Sequence, residues 1–282
     1  MNLCSYNEIS SLLKRHGFTF SKALGQNFII NERICPAMAQ SLNANENTGV
    51  LEIGPGIGVL TKELCSVAGK VVSVELDNRL FPILSETLSD CGNIEIVEGD
   101  ALKMDLNALI DEKFTGMSDI KVCANLPYYI TSPIIMKLIE SKLPVSEIVV
   151  MVQKEAADRL AAQIGSRESG ALTVAAQYYA EIEKLFDVSR GSFMPQPKVD
   201  SAVIKLSVRK EPPVRAENEK RFFEIVRAAF AQRRKTALNS LSSSLNIPKD
   251  KVRAALKKIG RNENDRAERF SMDEFAALSA LI

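Results

Sequence analysis

The 282 residues carry 36 lysines and arginines against 35 aspartates and glutamates, a formal charge of +1, and 46% are hydrophobic. At roughly 150 residues per domain this length predicts about two domains, and an ordinary 25% of charged residues excludes wholesale disorder. No apolar run approaches the ~18 residues of a membrane span, Met1 to Lys14 lacks the apolar stretch of a signal peptide, and a cytoplasmic protein is expected.

In chain order, residues 7–16 predict a short amphipathic helix closed by Gly17, followed by a polar loop around Gly25-Gln26-Asn27 and a helix over Ile34 to Leu42. From residue 50 a strand, loop, helix pattern repeats. Strands are predicted at Val50 to Ile53, Lys70 to Val74, Asn93 to Val97, Ile120 to Ala124 and Glu147 to Val152. Near-continuous β-branched strands alternating with helical stretches indicate an α/β fold, a parallel sheet covered on both faces. Helices at Lys154 to Ile164 and Ala171 to Tyr179 precede two more strands, Glu183 to Val188 and Ser201 to Val208. Pro212-Pro213 marks a linker, and beyond it apolar residues recur at helical spacing. This places a break between a domain of residues 1–209 and an all-α domain of residues 210–282.

Polar residues fall at a regular place. Gly54, Glu75, Asp100 and Asn125 each sit just past the C-terminal end of a strand, where open α/β sheets bind ligands. Gly54-Pro55-Gly56-Ile57-Gly58 is a glycine-rich strand-to-helix turn. A dinucleotide fingerprint needs glycine where Val59 stands, and Pro55 removes an N–H that a pyrophosphate would use. A plain βα turn is the alternative for the loop alone. Glu75, 21 residues after Gly54, suits a pair of ribose hydroxyls, and Asp100 suits an adenine amino group. Singly, either is as readily a solvated strand-end carboxylate; together they suit an adenosine without a diphosphate, and S-adenosylmethionine fits.

Asn125-Leu126-Pro127-Tyr128 is the most specific feature. An adenine 6-amino group is a poor nucleophile because its lone pair is delocalised. The Asn125 side-chain oxygen and the Leu126 or Pro127 carbonyl could each accept one of its N–H bonds and favour a tetrahedral nitrogen. Tyr128 could stack on an extruded base, and Phe193, read as lying in a loop, could supply the opposite face. Five cysteines without a CxxC pair and a single histidine, His16, exclude zinc-knuckle and nucleophile–histidine chemistry; no metal is expected. His16 reads as a helix-end residue before Gly17.

Gly25-Gln26-Asn27-Phe28-Ile29, Glu52 to Gly58, Val74-Glu75, Glu98-Gly99-Asp100, Asn125 to Tyr128, Val152-Gln153-Lys154-Glu155, Phe193 to Ser201 and Phe230 to Lys235 resemble the ribosomal RNA adenine dimethyltransferase family, most nearly its small-subunit, kasugamycin-sensitivity branch. The resemblance implies a Rossmann-like class I methyltransferase domain with a seven-stranded sheet, followed by a small helical domain. It implies dimethylation of two adjacent adenosines in the 3′-terminal hairpin of 16S rRNA, within an immature small ribosomal subunit, with S-adenosylmethionine converted to S-adenosylhomocysteine. It assigns cofactor contacts to Asn27, Ile29, Gly54, Glu75, Asp100 and Asn125, and base stacking to Tyr128 and Phe193. No obligate protein partner is implied. Relatives often carry leucine where Ile29 stands. The alternatives are a large-subunit, macrolide-resistance dimethyltransferase and an RNA-binding assembly factor without turnover; a nicotinamide dehydrogenase is disfavoured by Pro55 and Val59.

The near-zero charge hides a division. Residues 205–282 hold 18 basic and 10 acidic side chains, the remainder 18 and 25. Such asymmetry signals nucleic-acid contact, and Arg233, Arg234 and Lys235 are the candidate phosphate-binding residues, a solvated helix surface being the plainer alternative.

Overall fold

The computed structural model describes every residue except Lys22 and Arg233. In chain order the elements are α1 (Tyr6–Arg15), β1 (Phe28–Ile29), α2 (Ile34–Ser41), β2 (Thr48–Ile53), α3 (Val59–Val67), β3 (Lys70–Glu75), α4 (Phe81–Thr87), β4 (Ile94–Glu98), α5 (Leu106–Lys113), β5 (Asp119–Asn125), α6 (Thr131–Glu140) and β6 (Glu147–Gln153). Then follow α7 (Lys154–Leu160), α8 (Ala171–Tyr179), β7 (Ala180–Val188), β8 (Phe193–Met194), β9 (Ser201–Val208), α9 (Glu219–Phe230), α10 (Ala237–Leu245), α11 (Lys249–Lys258) and α12 (Met272–Leu281).

Seven strands form one sheet in the order β4-β3-β2-β5-β6-β9-β7. The pairs β2–β3, β3–β4, β2–β5 and β5–β6 are parallel. The wholly parallel sheet expected from sequence needs one correction: β9 runs antiparallel to β6, pairing Gln153 with Ser201 and Glu147 with Ser207. Apolar composition carries no strand direction, and here the chain returns from β8 against β6. Along β2, β3, β5 and β6 the side chains of Val50, Leu51, Val71, Val72, Val122, Cys123, Val149 and Val150 are all buried. Both faces of the sheet are therefore covered, as a crossover sheet requires. Strand order reverses at β2, whose neighbours are β3 and β5; the carboxyl ends on either side of such a switch point open a crevice.

By contacts the chain divides into two units, Met1–Ala157 with Glu181–Val208, and Asp158–Ala180 with Arg209–Ile282. This departs from the single break expected at residues 209/210, because residues 158–180 group with the C-terminal helices. The second unit explains why: the Tyr178 ring lies 5.1 Å from those of both Phe222 and Phe223 on α9, and Tyr179 stacks on Phe223 at 5.5 Å. A further aromatic group, Phe230, Phe270 and Phe275, joins α9 to α12 and its approach. No helix among the described residues is long and apolar enough to cross a membrane.

Candidate active site

One cavity of about 200 Å³ lies at the carboxyl ends of β2, β3, β4 and β5, inside the first unit. Its walls include Asn27, Ile29, Gly54, Glu75, Asp100, Asn125, Leu126, Pro127, Tyr128 and Phe193. Every cofactor-binding and catalytic candidate named from the sequence thus meets at one place, although the chain separates the first from the last by 166 residues (from Asn27 to Phe193).

The glycine turn sets the floor. Gly54, Gly56 and Gly58 all have positive φ, at +72°, +60° and +89°, a region that L side chains rarely adopt. A Cβ at Gly56 would lie 3.3 Å from the Phe28 ring, whereas one at Gly54 would meet no atom within 4 Å. Gly54 is therefore kept by its backbone conformation and by open space beside the cavity.

Glu75 closes β3 and is only 6% exposed. Its Oε1 accepts from the Asp77 amide at 2.8 Å. Burial pushes its carboxyl above the usual carboxylate range, against the main-chain N–H groups of Asp77, Gly56 and Leu76 that pull it down. Leu76 follows with 48% of its surface exposed while lining the cavity, an apolar platform on which a flat ring could rest. Asp100, at the end of β4, accepts from the Leu102 amide at 2.9 Å and pairs with Lys103 at 3.5 Å; its side chain stays partly open to the cavity.

Asn125 ends β5, and its Nδ2 donates to the main-chain carbonyl of Asn27 at 3.2 Å. The Asn27 side chain donates in turn to the Gly25 carbonyl at 2.9 Å. Next along, the Pro127 carbonyl accepts from the Ile130 amide at 3.1 Å and the Thr131 hydroxyl at 3.4 Å. Both of its lone pairs are used in the local turn. Of the two main-chain acceptors expected from sequence, Leu126 is the one left open among the described residues. Tyr128 is tethered through its hydroxyl to Ser201 Oγ at 2.8 Å.

Phe193 differs from expectation. It lies not in a loop but in β8, opposite Ile29 of β1, and is 3% exposed in a cluster with Ile29, Met38 and Met151. A two-residue ladder is too short to leave a periodic signal in sequence. Its ring forms part of the cavity wall.

Sequence reasoning missed the polar latch at the cavity's edge. Asp77 accepts from Gln26 Nε2 at 2.7 Å and from Arg79 Nε and Nη2 at 2.8 and 2.7 Å. The Gln26 oxygen accepts from the Ser21 amide at 2.9 Å. The Arg79 guanidinium and the Gln26 amide hold the Asp77 carboxyl below its usual range. The latch fixes the loop that carries Asn27. It also missed Tyr129, 55% exposed and lining the cavity, whose ring comes within 3.3 Å of where a Cβ at Gly25 would sit. His16 is the cap of α1 and bonds Glu86 at 2.7 Å, away from the cavity walls. Among the described residues, no group of three or more His, Cys, Asp or Glu could hold a metal ion. In the second unit Arg234 and Lys235 are exposed; Arg233 lies outside the described residues.

Fold and site together define a methyltransferase of the Rossmann-like class. The model of the ribosomal RNA adenine dimethylase family matches residues 17–282, and the chain belongs to that family. It is 51% identical over 271 residues, 95% of this chain and 93% of the relative, to a protein of Geobacillus sp. (strain WCH70) named ribosomal RNA small subunit methyltransferase A. It is 47% identical over 281 residues, 99% and 96% of the two chains, to a Bacillus cereus (strain B4264) protein of the same name. Among solved structures it resembles the 23S rRNA methyltransferase ErmE, with TM-score 0.68, 29% identity and coverage of 90% and 98%. It also resembles a dimethyladenosine transferase from Plasmodium falciparum, with TM-score 0.71, 26% identity and coverage of 89% and 95%.

Proposed function

We propose that this chain dimethylates the 6-amino groups of two adjacent adenosines in the 3′-terminal hairpin of 16S rRNA, acting in the cytoplasm on an immature small subunit. Its relatives named for the small subunit share about half of its residues over nearly the whole chain, whereas the large-subunit methyltransferase of like fold shares 29%. That difference favours the small-subunit substrate.

S-adenosylmethionine, when bound, supplies an electrophilic methyl group on a sulfonium. The residues present fit it: the glycine turn leaves open space at Gly54, Glu75 presents a buried carboxylate for ribose hydroxyls, Leu76 offers an apolar face and Asp100 an acceptor for an adenine amino group. Asn27 from the loop and Ile29 from β1 line this pocket. No diphosphate cradle exists in the turn, since Pro55 has no N–H.

The observation that carries the reading is the orientation of Asn125. With Nδ2 committed to the Asn27 carbonyl, Oδ1 is the atom left to accept one N–H of the target amine, and the Leu126 carbonyl accepts the other. Two acceptors holding both N–H bonds favour a tetrahedral nitrogen with its lone pair directed at the methyl donor. Tyr128, fixed by Ser201, stacks on the extruded base, and Phe193 backs the pocket from the core. The methylated amine is acidic enough to lose its proton to water, so no dedicated base is needed. Arg233, Arg234 and Lys235 are assigned to rRNA phosphates.

Labelled S-adenosylmethionine incubated with the protein and immature 30S particles tests this. Label should appear as dimethyladenosine at two adjacent positions of the 16S 3′ hairpin. Label confined to 23S rRNA, or on another base, overturns the reading.

A further inference from the structure

We propose that Tyr129 is a stacking platform for the nucleotide next to the target adenosine in the same RNA strand, an assignment that rests on the rRNA substrate proposed above. Among the described residues two aromatic side chains are more than half exposed, Tyr6 at 60% and Tyr129 at 55%, and only Tyr129 lines the cavity. Two contacts aim Tyr129 and its neighbour Tyr128 apart. They open a single 3₁₀ turn, Tyr128–Ile130, in which successive side chains leave the axis roughly 120° apart. The Tyr128 hydroxyl is bonded to Ser201 Oγ at 2.8 Å, and Ser201 is fully buried at the start of β9. Tyr129 turns instead to the loop ahead of β1: a Cβ at Gly25 would lie 3.3 Å from its Cδ1 and 3.5 Å from its Cε1. Gly25 has φ +60° and no Cβ, so one edge of the ring rests on loop backbone while the remainder faces solvent. Asn125 anchors that same loop through the Asn27 carbonyl, which fixes Tyr129 relative to the amine-orienting oxygen.

The substrate has a matching arrangement. Tyr128 stacks on the adenine extruded into the cavity, and the phosphodiester link leaves the next base just outside it. The Cα atoms of Tyr128 and Tyr129 are one peptide apart, ~3.8 Å, so adjacent rings meet adjacent bases. Every base has a π-face, and an open ring at the mouth accepts one whatever its identity. Position also separates this role from cofactor binding. Glu75 and Asp100, the candidate contacts for S-adenosylmethionine, follow β3 and β4, whereas Tyr129 follows the β5 end that carries the target-amine acceptors.

Tyr129→Ala, Tyr129→Leu and Tyr129→Phe are compared with the wild-type chain on immature 30S particles. Tyr129→Ala should raise KM for the particles about tenfold, and weaken their direct binding in the presence of S-adenosylhomocysteine by a like factor. Its kcat should fall by less than about threefold, since the flanking base is held alike before and during transfer. Tyr129→Phe keeps the ring and should restore the wild-type KM. Tyr129→Leu keeps apolar bulk against Gly25 without a π-face and should resemble Tyr129→Ala. Affinity for S-adenosylmethionine, read by calorimetry, should stay at the wild-type value in all three. Rescue by leucine as full as that by phenylalanine would reduce Tyr129 to loop packing. A weaker S-adenosylmethionine affinity with unchanged particle binding would make it a cofactor lid. Either result overturns the proposal, as does Tyr129→Ala at wild-type values on particles that the wild-type chain methylates. Wild-type protein that leaves 16S rRNA unmodified overturns the substrate assignment itself, and this proposal with it.

Discussion

The side-chain amide of Asn125 donates to the main-chain carbonyl of Asn27 at 3.2 Å, joining the end of β5 to a loop 98 residues earlier in the chain. One hydrogen bond thereby does two things. It orients the Asn125 oxygen as an acceptor, and it holds the loop over the cavity. Asn125→Asp presents a carboxylate to a carbonyl and loses the donor; Asn125→Ala loses both ends. Each should lower kcat for adenosine methylation by about 100-fold or more. S-adenosylmethionine binding, read by calorimetry, should weaken far less. Near-normal turnover in either variant would refute the amine-orienting role.

The Asp77 latch predicts a different kinetic signature. Asp77→Ala removes acceptors from Gln26 and from the Arg79 fork, none of which belongs to the reacting groups. Charge-assisted hydrogen bonds are each worth about 1.5–3 kcal/mol, so KM for S-adenosylmethionine should rise about tenfold while kcat stays near wild type. A matched fall in kcat with KM unchanged would show that the latch serves the chemistry rather than the loop.

Glu52 is fully buried at the end of β2, accepting from Thr61 and Ser73 hydroxyls at 2.7 and 2.6 Å through Oε2, while Oε1 has no partner among the described residues. Burial pushes its carboxyl up from 4.5 to about 7. Between those values the folded state binds the proton more tightly than the unfolded chain, so the neutral acid favours folding at low pH. That advantage is lost as pH rises through about 7, at a cost of about 3 kcal/mol. Glu52→Gln cannot ionise. Its melting temperature relative to wild type should therefore rise between about pH 4.5 and pH 7 and level off above that. A difference that stays flat across this range would contradict the raised value.

Two glycines should respond unequally to the same substitution. A Cβ at Gly69 would sit 1.9 Å from the Glu46 carbonyl oxygen, whereas the one close contact of a Cβ at Gly99 would be the far-end Cε of the Met104 side chain at 2.3 Å. Gly69→Ala should cost about 3 kcal/mol in denaturant unfolding, because backbone must move, and Gly99→Ala about 1 kcal/mol or less. Equal losses would mean that the Met104 side chain cannot swing aside.

Charge reversal at Arg234 and Lys235 tests the phosphate assignment. Both side chains are exposed, so the double change to glutamate should leave the melting temperature nearly unaltered. Affinity for 16S rRNA particles should fall, and the slope of log K against log salt should shrink by roughly 1 to 2. Unchanged binding and slope would make this surface merely solvated.

Much of the site is legible in the sequence. Gly54, Glu75, Asp100 and Asn125 end short β-branched runs, and a parallel sheet necessarily brings such ends to one edge. What was not legible depends on partners far away in sequence. The Gln26–Asp77 bond joins two ordinary polar residues 51 positions apart. The β1–β8 ladder is two residues long, and so Phe193 read as loop although it is core. The occupancy of the Pro127 carbonyl depends on a local turn that its neighbours Ile130 and Thr131 complete. The break placed at 209/210 followed the proline pair, a local signal, while the rings of Tyr178 and Phe222 set the actual grouping.

That grouping bears on how the protein emerges during synthesis. Residues 158–180 are made early, yet the α9 rings that cover Tyr178 and Tyr179 arrive about 45 residues later in a chain built from its N-terminus (Tyr178 to Phe223). Until then an aromatic face waits exposed on the nascent chain. The second unit is therefore no detachable tail: a stop codon in the linker would strand those tyrosines, and the product should aggregate rather than persist as a free catalytic half.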